Sequence, residues 1–184
     1  GYIFAGYFSQ MNPHTAYGRR RITKKEFLFS ILIAGPAVML HELGHKFVAI
    51  AFGHTATFFS AISINKLLNE GVAFLDLPAF LMIMAVVSTY VGMGFFFFIP
   101  GYVSFSSAAT PFQQFLIAFA GPGTNLMLWL TARWMIRNRR VPHKYFAIAF
   151  WTEKINMMLF IFNMIPFPGF DGYKVFSGLF QVLF

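Results

Sequence analysis

Residues 27–52 read FLFSILIAGPAVMLHELGHKFVAIAF, an apolar run interrupted by one compact group, His41-Glu42-Leu43-Gly44-His45. On a helix, side chains four apart lie one turn apart on the same face. H-E-x-x-H in that register lets two imidazoles share one zinc ion, with the intervening glutamate as general base. The run is also long enough to cross a bilayer, which takes about 20 mostly apolar residues. Ionisable groups inside such a span are costly, and their default reading is functional. The group therefore points to a metal centre built within a membrane.

Composition agrees. Apolar residues make up 58% of the 184 and charged residues 11%, against roughly 45–50% and 25% in soluble domains. A soluble domain of this size could not bury its 27 phenylalanines. The chain has no cysteine, which excludes a disulfide framework, a thiolate zinc site and a cysteine nucleophile. The net charge of +8 raises the question of nucleic acid, but the basic residues are not spread along a groove. They cluster at Arg19, Arg20, Arg21, Lys24 and Lys25, and again at Arg133, Arg137, Arg139, Arg140 and Lys144. Both clusters flank apolar runs, as topology signals and lipid-headgroup contacts do. A lipid bilayer is the expected surrounding, and nucleic acid is not an expected partner. No charged leader with a small-residue cleavage site is legible ahead of the first run.

Four apolar stretches, 27–52, 79–99, 112–136 and 145–165, are candidates for membrane helices. A fifth, 173–184, is too short to cross by itself. Between the first two, 54–78 carries Asn65, Lys66, Asn69, Glu70, Gly71 and Asp76 and reads as a surface loop or short hairpin. Four simple crossings would put the two basic clusters on opposite faces, against the positive-inside tendency. They would also separate His41 and His45 from Asp171. Both conflicts vanish if one of the two middle stretches does not cross, or if 54–78 dips into the membrane. The expected fold is thus all-α: a polytopic transmembrane bundle with a three-helix catalytic core and an additional apolar or re-entrant segment. The whole of 1–184 is read as one integral-membrane domain. Within it, 27–52 is the zinc-motif helix, 79–99 the extra segment, 112–136 the middle core helix, and 145–172 a helix followed by an aspartate motif.

A hydrolytic zinc site takes three protein ligands and leaves one position open. Six acidic residues are available beyond the histidines: Glu26, Glu42, Glu70, Asp76, Glu153 and Asp171. Glu26 lies beside Lys24 and Lys25, and Glu70 and Asp76 lie in the polar loop. Glu153 resembles a downstream zincin glutamate, but its neighbour Lys154 suggests a charge pair. Asp171 is the strongest candidate. It follows Asn163-Met164-Ile165-Pro166-Phe167-Pro168-Gly169-Phe170, where prolines and a glycine break the helix between apolar walls, and a lone carboxylate there needs a cation. His54 follows the helix-stopping Gly53 nine residues beyond His45, where the soluble metzincin pattern would put its third histidine six residues on, and His14 and His143 sit among polar or basic neighbours.

Taken together, these residues resemble the site-2 protease family of intramembrane zinc metalloproteases. His41-Glu42-Leu43-Gly44-His45 matches the family's H-E-x-x-H. Asn163, Pro166, Asp171 and Gly172 match its N-x-x-P-x-x-x-x-D-G in type and spacing. Gly121-Pro122-Gly123-Thr124-Asn125 is similar to its G-P-x-x-N, and the resemblance covers most of the chain from Phe27 onward. Gly169 stands where some relatives have proline, and 79–99 is an extra segment. The resemblance implies that His41, His45 and Asp171 hold one zinc ion per chain. It also implies that Glu42 is the catalytic base toward zinc-activated water, and that the substrate is a transmembrane segment of another protein. Asn125 and Asn163 are read either as hydrogen-bonding the substrate strand or oxyanion, or as making interhelical hydrogen bonds. The alternative function is a non-catalytic zinc-containing membrane subunit or binder, against which an intact Glu42 speaks. An ion transporter would want polar residues spread along several spans.

Overall fold

The computed structural model describes residues 24–60, 101–105 and 109–184. The extra apolar segment 79–99, the basic cluster at 19–21, His14, Glu70 and Asp76 lie outside the described residues, as does the side chain of Glu26. Four helices carry the architecture: α1 (Lys24–Ala51), α2 (Pro111–Arg137), α3 (Phe146–Asn163) and α4 (Asp171–Leu183). Two short strands, β1 (Ala56–Ser60) and β2 (Gly101–Phe105), pair as a two-stranded sheet. The all-α expectation therefore holds for the helices, with a strand pair added to it. β1 falls where a loop or local hairpin is expected, but its partner comes from beyond that segment. Phe58, Phe59 and Thr57 are residue types that favour extended backbone. The chain divides into two compact units, and every site residue lies in the one made of Pro36–Phe59 and Val103–Phe184. The first part of α1, up to Gly35, belongs to the other.

The helix boundaries follow from local chemistry. α1 stays helical through Pro36 and stops at Gly53, whose φ of 77° is a conformation open to a residue without Cβ. The Gly53 amide donates to Ile50 O at 2.8 Å and the His54 amide to Ala49 O at 3.0 Å, the paired bonds of a Schellman stop. α2 opens with a capping box. The Gln113 amide donates to Thr110 Oγ1 at 3.3 Å, and the Thr110 amide donates back to Gln113 Oε1 at 2.9 Å. Pro111 takes the first helical position, where its missing N–H is no loss. α3 is entered through a 3-10 turn, His143–Tyr145.

α2 is the central helix, packed against both α3 and α4. Glycines permit the close crossings. A Cβ on Gly178 of α4 would lie 3.1 Å from Pro111 O and from the Phe115 amide nitrogen, and one on Gly44 of α1 would lie 2.7 Å from Ala120 O. Small residues at such crossings let backbones approach where apolar burial does not drive association. Two of the helical stretches, Pro111–Arg137 and His143–Asn163, are long and apolar enough to cross a membrane. Of their most apolar windows, only 33% and 22% are buried, and large apolar side chains such as Met127, Leu130, Ile161 and Phe180 face outward. Helices apolar on nearly every side belong in lipid or in a larger core.

Candidate metal centre

His41 and His45 stand one turn apart on α1, their rings edge to face with centroids 4.8 Å apart. Both are buried, at 6% and 5% exposure. Asp171, the first residue of α4, brings its carboxylate to them across 130 positions of chain. His41 Nε2 lies 3.1 Å from Asp171 Oδ2, His45 Nε2 lies 3.3 Å from the same oxygen, and the two Nε2 atoms are 3.1 Å apart. These three are the one cluster of metal-ligand type among the described residues.

Asp171 is placed by the break that follows α3. Gly169 adopts φ 102°, and a Cβ on Gly172 would sit 2.5 Å from both the carbonyl carbon and oxygen of Met164. Only glycine lets the start of α4 press against the backbone at the end of α3, which carries Asp171 to the histidines. Gly121 of α2 does the same beneath the rings, since a Cβ there would collide with Nε2 of both imidazoles.

Both imidazoles are oriented from behind. His41 Nδ1–H donates to Asn125 Oδ1 at 2.6 Å, and His45 Nδ1–H donates to Ile117 O at 2.7 Å. With Nδ1 carrying the proton, each Nε2 keeps its lone pair directed at the common point, as metal-ligating histidines require. A tetrahedral zinc with bonds of about 2.0–2.1 Å needs ligand atoms about 3.3 Å apart, close to the triangle seen here. Glu42 Oε2 is buried and has no hydrogen-bond partner in the structure. A buried acceptor without a donor is costly, and a water held between Glu42 and a metal ion would supply one. The residues present thus fit zinc.

The other candidates fall elsewhere. Asn125 is fully buried and its amide is committed to His41, Asn156 and Ala37 O, the interhelical option of the two readings. Asn163 closes α3, half-buried. His54 Nε2–H donates to Gln113 Oε1 at 3.2 Å, tying the end of α1 to the cap of α2. Glu153 is buried and pairs with Lys154 at 3.7 Å. His143 is exposed. Sequence patterns do not single out Asn156, a lone amide seven positions before Asn163. The signal that could have found it is a polar residue two turns from Asn163 on the same face of an apolar helix.

Comparison with known proteins agrees with this geometry. Three similar proteins carry the name "Putative zinc metalloprotease". MJ0611 of Methanocaldococcus jannaschii is 28% identical over 149 residues, covering 81% of this chain and 69% of that protein. Rip3 of Mycobacterium tuberculosis is 28% identical over 180 residues, covering 93% of this chain and 36% of its own length. Rip2 of Mycolicibacterium smegmatis is 30% identical over 155 residues, or 79% of this chain and 56% of that protein. The chain is thus similar to proteins named as zinc metalloproteases. It spans about a third of Rip3, at 36%, and 56% of Rip2. No family model matches it, and no solved structure does.

Proposed function

We propose that this chain is an intramembrane zinc metalloprotease that hydrolyses peptide bonds within or near transmembrane segments of other membrane proteins. The observation that carries the reading is the triangle of His41 Nε2, His45 Nε2 and Asp171 Oδ2 beside the unpartnered Glu42 Oε2. In this reading one zinc ion per chain is held by His41, His45 and Asp171. Zinc, when bound, supplies a Lewis acid that lowers the pKa of water toward about 7 and polarises the scissile carbonyl. Glu42 takes the proton from the attacking water and passes it to the leaving amine. Gly121 keeps the floor of the site open, and Asn125 and Ile117 O keep both imidazoles aimed. Asn163 remains available to the substrate strand at the end of α3.

The reading treats 1–184 as one multi-pass domain of the cell membrane. α1, α2 and α3 are the three crossings. The outward-facing apolar side chains of α2 and α3 support it. A transmembrane protein is the substrate and nucleic acid is not a partner. The alternative, a non-catalytic zinc-containing subunit or binder, gives Glu42 no task.

The test is Glu42→Gln in protein reconstituted with a membrane-spanning substrate, with zinc measured on the same samples. Zinc should stay at one per chain while cleavage falls about 10²–10⁴-fold, the range for losing a general acid–base. Unchanged cleavage would remove Glu42 as the base and with it the mechanism. A parent protein that holds zinc and cuts no spanning substrate would favour the binder.

A further inference from the structure

Behind His41 runs a buried chain of amides that crosses three helices. Asn156 Nδ2 on α3 donates to Thr152 O at 2.8 Å, Asn125 Nδ2 on α2 donates to Asn156 Oδ1 at 2.8 Å, and His41 Nδ1–H donates to Asn125 Oδ1 at 2.6 Å. Asn125 and Asn156 are 0% and 1% exposed, so water does not substitute for any member. The sense of the chain is set at its far end, because a backbone carbonyl can only accept. Thr152 O therefore takes the amide nitrogen of Asn156, which turns Asn156 Oδ1 toward Asn125. That oxygen in turn takes Asn125 Nδ2, leaving Asn125 Oδ1 to face His41. A carbonyl oxygen at that place demands the proton on Nδ1, which frees Nε2.

We infer that Asn156 is a positioning residue for the metal centre, fixing the tautomer of His41 through Asn125 from a helix that contributes no ligand. This rests on the zinc reading above and extends it to α3. Without Asn156 Oδ1, the Nδ2 group of Asn125 keeps only its longer bond to Ala37 O, at 3.3 Å. Its amide can then turn and present Nδ2 to His41. The imidazole would answer by moving its proton to Nε2, the atom that faces Asp171.

The experiment compares the parent with Asn156→Leu and Asn156→Asp. Leucine has similar bulk and no polar atom. A buried, neutral aspartic acid keeps one donor and one acceptor in the same places. The readouts are zinc affinity by chelator competition, the visible spectrum of the cobalt-substituted protein, and thermal stability. Asn156→Leu should weaken zinc about 10–100-fold, the usual loss for a residue that orients a metal-binding histidine, and alter the cobalt spectrum. Asn156→Asp should restore both. If Asn156→Leu lowers thermal stability alone, with parental zinc affinity and cobalt spectrum, Asn156 is an interhelical contact only and the inference is wrong. It is equally wrong if Asn156→Asp is as impaired as Asn156→Leu. A parent that binds no zinc would instead overturn the proposed function, which keeps the two failures apart.

Discussion

Gly121 carries the sharpest consequence at the scale of single residues. A methyl group there would collide with Nε2 of both His41 and His45, the two atoms assigned to the metal. Gly121→Ala should keep the helices, since alanine is the better helix former, and yet lose most bound zinc. Circular dichroism and metal analysis on one sample would check this. Full zinc occupancy in Gly121→Ala would mean that the imidazoles do not sit where they are placed. Asp171→Asn makes the complementary test from the other side of the site. It preserves shape and removes charge, so zinc should be retained less tightly in equilibrium dialysis, with turnover falling in parallel. The pair distinguishes a blocked site from a weakened one.

At the scale of elements, the caps decide where helices begin and turn. Thr110→Ala removes the hydroxyl half of the box that opens α2 and should destabilise the protein by about 1 kcal/mol. Thermal melts should show a fall of about 2–4 °C, with zinc content unchanged. Gly53→Ala forces a side chain into the left-handed region and should lower stability similarly. Both ends are readable from residue type, because Gly53 is helix-stopping chemistry and Pro111 brackets the stretch read as 112–136. The H-E-x-x-H register and the aspartate motif are equally legible, as they are local patterns. What the sequence does not display are relations across space. Asn125 admits two readings until its partners on α1 and α3 are seen. Asn156 carries no motif, and Gly121 carries one whose reason, the lack of a Cβ beneath two rings, exists only once α1 and α2 cross. β1 pairs with β2, a segment 41 or more positions away by numbering (60 to 101), and no local signal names such a partner.

At the scale of the whole molecule, the apolar exteriors of α2 and α3 should keep the protein in the membrane fraction through alkaline carbonate washing. Release as a soluble monomer would contradict the multi-pass reading. Zinc should also stabilise the bundle, since its ligands lie on α1 and α4. Binding to the folded form alone adds about 2.7 kcal/mol at a hundredfold excess over the dissociation constant. Chelation should therefore lower the melting temperature and speed proteolysis of the connection between α3 and α4.

The 130 positions between His41 and Asp171 also impose a timetable. A ribosome adding about 5–20 residues per second delivers the carboxylate roughly 6–26 s after the histidine. During that interval α1 carries two imidazoles and a glutamate with no third ligand, so a nascent chain holds no complete hydrolytic centre. Chains arrested before position 171 should retain no zinc and cut nothing. In the proposed reading, hydrolysis waits until α4 has begun to emerge.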